Sequence, residues 1–169
     1  AISMAQTGNR VLVVDTDLRR PRLHRALGIS STTGLSSLLL GCAQSEAIKK
    51  TAISNVELLP CGPLPPNPAE ILHSDRFGGI FQKLKESYDR VIFDSPPVNY
   101  VTDASILSRL VDGVVLVVRA NSTPREAARL ATRQLRDVGA RIYGVVLNSS
   151  TARDTYDGYR YTYHSERPN

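Results

Sequence analysis

The chain has few cysteines and no long apolar segment. Its two cysteines among 169 residues, Cys42 and Cys61, are far apart and belong to no Cys-x-x-Cys or Cys/His group, which argues against a disulfide framework or a zinc site. No apolar run approaches the roughly 18 residues that a transmembrane helix needs, and no signal peptide is visible. Since 41% of the residues are hydrophobic, we expect one globular domain. The isolated cysteines make a reducing cytoplasm the expected setting.

The charge of the chain is unbalanced, with a formal net charge of +5. The basic residues form two clusters, Arg19, Arg20, Arg22 and Arg25, and Arg125, Arg129, Arg133 and Arg136. Neither cluster resembles a nucleic-acid-binding module, so we expect no nucleic-acid partner. The second cluster has the spacing of a solvated helix face, whereas the first directly follows two acidic residues and has the better claim to a functional role.

Two short apolar runs each end in an acidic residue. Residues 11–14 are followed by Asp15 and then Asp17, and residues 91–93 are followed by Asp94. Runs of this kind are typical of buried parallel strands, whose carboxyl ends form the ligand-binding edge of an α/β sheet. A single aspartate at a strand end is often only a turn cap, but two such strands favour a shared crevice. Its carboxylates suit a hydrated magnesium ion.

Strands and helices alternate along the chain. We predict strands at 11–14, 56–59, 90–93, 114–118 and 143–147, and helices at 36–40, 45–50, 69–74, 76–87, 104–110 and 125–138. This alternation predicts an α/β fold with a doubly wound, mostly parallel sheet. Asp103 is the predicted N-cap of its helix, and the proline-rich residues 60–68 are interpreted as a structural crossover.

These motifs and their order resemble the bacterial tyrosine kinases that work with capsule and exopolysaccharide export. The resemblance is carried by a Walker A′ motif at residues 11–21, a Walker B motif at 91–97 and further stretches at 34–41, 59–74, 112–118 and 144–148. It implies a P-loop NTPase fold of the MinD/ParA type. We therefore expect a kinase domain over residues 1–148 and a flexible tail over residues 149–169.

The resemblance also implies roles for individual residues, with ATP and Mg²⁺ as cofactors. Asp15 would be a magnesium ligand and the base for the incoming tyrosine hydroxyl, Asp94 would hold the magnesium ion through a bound water, and Asp17 would support both. Arg19 would either neutralise phosphate charge or pair with Asp17, and these alternatives stay open. Asn148 would contact the adenine.

One motif of such kinases is missing from the chain. It contains no Gly-x-x-x-x-Gly-Lys-Ser/Thr loop, whose backbone amides and lysine bind phosphates. Residues 1–8 are predicted to be the last turns of a helix closed by Gly8, and in the family such a helix follows the phosphate-binding loop. We therefore expect an N-terminally truncated domain that lacks its first strand and this loop, and that by itself binds ATP weakly and is inactive.

Four tyrosines lie close together near the end of the sequence. They are Tyr156, Tyr159, Tyr161 and Tyr163. The resemblance implies that they are phosphoacceptors, autophosphorylated between copies of a homo-oligomeric ring, at the inner face of the cell membrane beside a polysaccharide co-polymerase that acts as activator. The alternatives are a ParA/MinD-type ATPase switch and a non-catalytic binding module without a phosphate-binding loop.

Overall fold

The computed structural model describes residues 1–41 and 47–150, which divide into two compact units with a boundary after Leu107. The elements of the first unit are α1 (Ile2–Gln6), β1 (Val11–Asp15), α2 (Leu23–Ala26), α3 (Leu35–Leu40), β2 (Lys49–Lys50), β3 (Val56–Leu59), α4 (Pro68–Leu72), α5 (Asp75–Ser87) and β4 (Arg90–Asp94). Helix α6 (Asp103–Ser108) includes the boundary, and β5 (Val114–Arg119), α7 (Arg125–Asp137) and β6 (Ile142–Asn148) follow.

The first unit is built on a four-stranded sheet with the order β2-β3-β1-β4. Strand β1 is parallel to both of its neighbours, and the register pairs Asp15 with Asp94 across β1 and β4. Four of the five residues of β1 are buried, as expected for a central strand of an apolar run. The α/β class and the mostly parallel sheet are confirmed, with β2 as an antiparallel edge strand.

Helix α5 supplies much of the apolar cover of this sheet. Phe77 and Leu84, two turns apart on one face, are buried in the same cluster as Leu12 and Val14 of β1. The helix begins where the hydroxyl of Ser74 accepts a hydrogen bond from the Phe77 amide at 3.3 Å, as an N-cap does. The buried helix face therefore fixes the sheet whose carboxyl edge carries the acidic residues.

The chain after β3 packs tightly against the start of α3. The Leu35 amide donates to the carbonyl of Pro60 at 2.8 Å, and the Ser36 amide donates to the carbonyl of Cys61 at 2.9 Å. A Cβ on Gly34 would lie only 2.2 Å from the Pro60 oxygen. The proline-rich segment thus begins as a structural crossover, because its carbonyls satisfy the first amides of a helix.

We expect Gly34→Ala to destabilise the protein by about 1 to 3 kcal/mol, because backbone atoms must move to make room for the new methyl group. Gly78→Ala is the matched control: it lies inside α5, where an added Cβ meets nothing within 4 Å, and it should stabilise by about 0.5 to 1 kcal/mol. Urea unfolding measures both changes. Equal effects of the two substitutions would contradict the packing described at Gly34.

The second unit contains a parallel pair of strands, β5 and β6, in register from Val115 opposite Gly144 to Arg119 opposite Asn148. Helix α7 connects them and buries Ala131 and Leu135. The four arginines of the second basic cluster are exposed on this helix. Their exposure agrees with the predicted solvated face of this helix.

Several local predictions need correction. A helix at 45–50 was wrong for Lys49 and Lys50, which pair with β3 as an edge strand, while residues 42–46 lie outside the described part. Asp103 is the first residue of its helix rather than the N-cap, and α2 was not predicted. The helix end at Gly8 is confirmed by its left-handed φ of 91°. Within the described residues, no helix has the length and hydropathy of a membrane span.

Candidate active site

The two strand-end aspartates lie side by side. Asp15 ends β1 opposite Asp94 at the end of β4, with the strands parallel. Thr16 continues the hydrogen bonding between these strands beyond the pair. Its amide donates to the Asp94 carbonyl at 2.9 Å, and its hydroxyl donates to the same oxygen at 2.5 Å. The structure therefore confirms the prediction that Asp15 and Asp94 lie at the same edge of the sheet.

Asp15 is fully buried, and its two carboxylate oxygens differ in environment. Oδ2 accepts a hydrogen bond from the Leu23 amide at 3.2 Å, whereas Oδ1 is buried and has no hydrogen-bond partner in the part of the chain that the structure describes. Burial raises the pKa of Asp15, which the Leu23 and Asp17 amides partly offset. Since a buried acceptor without a partner is costly, Oδ1 is an oxygen that a cation or a donated proton would satisfy.

Asp17 organises the turn after β1. Its Oδ1 accepts hydrogen bonds from the amides of Arg19, at 3.1 Å, and Arg20, at 2.8 Å. This is the turn-capping role that strand-end aspartates commonly have. Asp17 therefore shapes the loop and also contributes negative charge to the edge, which raises the pKa values of Asp15 and Asp94.

Asp94 is the more accessible of the paired carboxylates. Its pKa is raised, first by the partial loss of its hydration at the sheet edge and then by the charges of Asp15 and Asp17. Within residues 1–41 and 47–150, no three His, Cys, Asp or Glu side chains converge as a protein-only metal cage. The donor set fits a hard cation that keeps waters and phosphate oxygens as ligands, which is how proteins usually bind magnesium.

The structure decides whether the side chain of Arg19 pairs with Asp17, which the sequence left open. Its side chain pairs with Asp103, through Nε to Oδ2 at 3.0 Å and Nη2 to Oδ1 at 3.2 Å, and only its backbone amide bonds to Asp17. Hydrogen bonding to Asp103 raises the pKa of Arg19. Sequence reasoning assigned Asp103 only a capping role and missed this pair. The available signal was a second aspartate shortly after the strand-end Asp94.

Two further titratable groups border the site. Cys61 is fully buried, and burial, with the charges of Asp15 and Asp17, raises its pKa to about 12, so its thiol is inert at neutral pH. His24 is half-buried, its Nδ1 has no hydrogen-bond partner among the described residues, and its electrostatic interaction with Asp15 lowers the pKa of that carboxyl. Neither was predicted to have a catalytic role.

The remaining predicted residues belong to later parts of the chain. Asn148 is exposed at the end of β6 in the second unit, where its side-chain oxygen accepts a hydrogen bond from the Ser149 amide at 2.8 Å. Its adenine contact stays a prediction. The four clustered tyrosines, Tyr156, Tyr159, Tyr161 and Tyr163, lie outside the described residues, so their acceptor role also stays a prediction.

The raised pKa of Asp15 has a consequence for stability. Between 3.8, the usual pKa of this carboxyl, and its raised pKa in the folded protein, the folded state binds more protons than the unfolded chain, so stability falls as pH rises through this window. We expect Asp15→Asn to stabilise the fold at pH 7 by on the order of 1 kcal/mol, with a smaller gain at pH 4. Thermal unfolding at both pH values measures it. Destabilisation at pH 7 would contradict the described environment.

Sequence similarity to known proteins shows the family to which the chain belongs. The AAA domain family matches residues 1–139. A putative tyrosine-protein kinase, CapB, from Staphylococcus aureus is 36% identical over 164 residues, which are 96% of this chain and 72% of CapB. The tyrosine-protein kinase YwqD of Bacillus subtilis is 38% identical over 149 residues, which are 88% of this chain and 63% of YwqD. The tyrosine-protein kinase wzc of Salmonella typhi is 37% identical over 171 residues, 98% of this chain but 24% of wzc.

Solved structures agree with this placement. The chimerical protein CapA2B2 superposes with a TM-score of 0.86 at 37% identity, over 89% of this chain and 67% of that one. The septum site-determining protein MinD of Pyrococcus horikoshii, complexed with Mg-ADP, has a TM-score of 0.71 at 24% identity, over 90% of this chain and 63% of MinD, and shows the fold alone. The fold is that of the P-loop NTPases. Within that class, the chain belongs to the family of bacterial tyrosine-protein kinases, which are phosphoryl-transferring enzymes.

Proposed function

We propose that this chain belongs to an ATP-dependent protein-tyrosine kinase that phosphorylates its own tyrosine cluster. The sheet edge that carries Asp15 and Asp94, called the catalytic edge below, would be its active site. The observation that carries this proposal is the pairing of Asp15 with Asp94 across two parallel strands, with Asp15 Oδ1 buried and unpartnered. Phosphoryl transfer asks a protein mainly for positioning, charge stabilisation and a group that orients or deprotonates the acceptor. A sheet edge with two neighbouring carboxylates supplies the last requirement.

The proposed reaction transfers the γ-phosphoryl group of ATP to a tyrosine hydroxyl. The phenolic oxygen forms a new bond to the γ-phosphorus, the bond from that phosphorus to the β-γ bridging oxygen breaks, and ADP leaves. The phenolic proton passes to the carboxylate of Asp15. A positioned carboxylate is one of the usual general bases for such a proton.

The residues at the edge fit a magnesium ion bound together with ATP. Asp15 would hold the ion directly through its unpartnered oxygen, and the more accessible Asp94 would hold one of its waters. When bound, magnesium neutralises charge on the phosphate oxygens. Arg19 at the same loop would add a positive charge toward the phosphates, and Asn148 would contact the adenine.

We further propose that the kinase regulates polymerisation and export of capsule or exopolysaccharide. The names of two relatives that are tyrosine-protein kinases, CapB and CpsD, support the capsule setting. The partners would be other copies of the same chain, in a ring, and a membrane co-polymerase that acts as activator at the inner face of the cell membrane. Each phosphate on the tail adds about −1.5 to −2 charges, which would loosen such a ring.

Phosphoamino-acid analysis of the full-length gene product, incubated with ATP and Mg²⁺, tests the activity. We expect phosphotyrosine. ADP release without phosphotyrosine would instead indicate an ATPase switch of the MinD type, and the absence of any nucleotide turnover would indicate a binding module. Asp75→Asn is the control, since it removes an exposed carboxylate from the first turn of α5, and it should phosphorylate as the unmodified protein does.

A further inference from the structure

Arg19 and Asp103 form a two-point ion pair between chain segments that are 84 residues apart. Two parallel N–H to oxygen contacts, at 3.0 and 3.2 Å, join the guanidinium to both carboxylate oxygens. Arg19 belongs to the loop that follows Asp15, whereas Asp103 begins the helix that follows Asp94. The pair therefore ties together the two segments that leave the catalytic edge.

The two partners differ sharply in exposure. The side chain of Asp103 is 0% exposed, and that of Arg19 is 40% exposed. Burying a carboxylate is expensive unless it is paired and hydrogen-bonded, so Asp103 depends on its bidentate partner. Arg19 has no such need, because its guanidinium retains contact with water. This difference in exposure indicates that the buried carboxylate of Asp103 holds the guanidinium of Arg19 in place at the surface.

The geometry leaves hydrogen-bonding capacity on Arg19. A guanidinium has five N–H donors in a rigid plane, and the contacts to Asp103 occupy one on Nε and one on Nη2. The other three, on Nη1 and Nη2, have no hydrogen-bond partner among the described residues, and the two contacts to Asp103 limit how far the guanidinium plane can turn. The backbone amide of Arg19 is held as well, by Asp17 at 3.1 Å. Both ends of the residue are thus fixed, which is the preorganisation that electrostatic stabilisation of phosphate charge requires.

We propose that Asp103 is a positioning residue that orients the Arg19 guanidinium toward the phosphoryl group transferred at the Asp15/Asp94 edge. This inference rests on the proposed function. Arg19 gives its remaining donors to the phosphate oxygens as charge redistributes during transfer. Asp103 does not touch the substrate and acts only through Arg19. An arginine is needed here because lysine is a point charge that cannot hold the same forked contact.

Steady-state kinetics of Asp103→Asn in the full-length gene product test the proposal. We expect kcat to fall about 10- to 100-fold, the usual effect of removing a group that orients a functional residue, while KM for ATP changes less than about twofold. Arg19→Gln should cost at least as much. The double variant should be no slower than Arg19→Gln, because two residues that act as a unit are not additive. Asp103→Glu should recover part of kcat because it restores the carboxylate.

A second readout does not depend on tyrosine phosphorylation. Calorimetric binding of Mg·ADP with and without aluminium fluoride, which mimics the transferred phosphoryl group, should show about 10-fold weaker binding of the fluoride complex to Asp103→Asn, with unchanged Mg·ADP binding. Asp75→Asn, another acid in the first turn of a helix, is the control.

The proposal is overturned if folded Asp103→Asn shows unchanged kcat and unchanged affinity for the fluoride complex. It is also overturned if the losses in the double variant are additive. In either case Asp103 has only a structural role. If the unmodified protein makes no phosphotyrosine, the proposed kinase function fails by itself. The fluoride measurement then still decides whether Asp103 positions Arg19 for a phosphoryl group.

Discussion

Asp15→Asn should abolish tyrosine phosphorylation in the full-length gene product while leaving it folded. Removal of a general base alone typically costs about 10²- to 10⁴-fold in rate, and here the same change removes the charge proposed to hold magnesium. Asn keeps the shape of the side chain and an oxygen for the Leu23 amide, which bonds Asp15 Oδ2 at 3.2 Å. Asp94→Asn should have the same direction of effect. Phosphotyrosine quantified by mass spectrometry measures the loss.

The stability result makes this prediction stronger. Because burial raises the pKa of Asp15, the inactive Asp15→Asn protein should be more stable than the active one at pH 7, so its loss of activity cannot come from unfolding. Asp75→Asn should retain full activity. Undiminished phosphorylation by folded Asp15→Asn would remove this residue from the mechanism.

Replacing all four clustered tyrosines by phenylalanine should nearly eliminate self-phosphorylation without weakening ATP binding. The variant lacks only the hydroxyls of Tyr156, Tyr159, Tyr161 and Tyr163. Mass spectrometry measures the phosphate, and calorimetry measures the affinity for ATP. We expect a loss of at least about tenfold in incorporated phosphate, while the catalytic edge, built from other residues, continues to bind nucleotide.

Tyr100 provides the matched control for the tail, because it is 83% exposed and lies outside the cluster. Tyr100→Phe should leave self-phosphorylation unchanged. The unphosphorylated protein should also sediment as a larger species than the phosphorylated protein, since added negative charge repels neighbouring tails. Phosphate on Tyr100 or Tyr143, or identical sedimentation of the two forms, would contradict the proposed switch.

The pairing of the strand-end acids could be predicted because its signals are local. Residues 11–14 and 91–93 are short apolar runs, and in parallel strands the residue that follows each run must lie at the same sheet edge. The structure confirms this for Asp15 and Asp94. The same local pattern could not distinguish a ligand from a turn cap, and Asp17 in fact caps its own loop.

The pair between Arg19 and Asp103 was missed, because its partners are 84 residues apart and an aspartate after Asp94 does not by itself identify the residue with which it pairs. Helix α2 is only four residues long, too short to show a helical repeat. Lys49 and Lys50 were assigned to a helix by local composition, but pairing with Glu57 and Leu58 made them an edge strand. For these two lysines, pairing with a neighbouring strand overrode the local preference.

A mixing experiment tests the central claim most directly. Full-length Asp15→Asn keeps its tail tyrosines but lacks the proposed base, and the variant with four tail phenylalanines keeps the base but lacks acceptors. With ATP and Mg²⁺, we predict that neither variant alone acquires tail phosphotyrosine and that the mixture does, with the phosphate on the Asp15→Asn chain. A mixture that stays unphosphorylated, or Asp15→Asn that labels its own tail without a partner, would contradict the account.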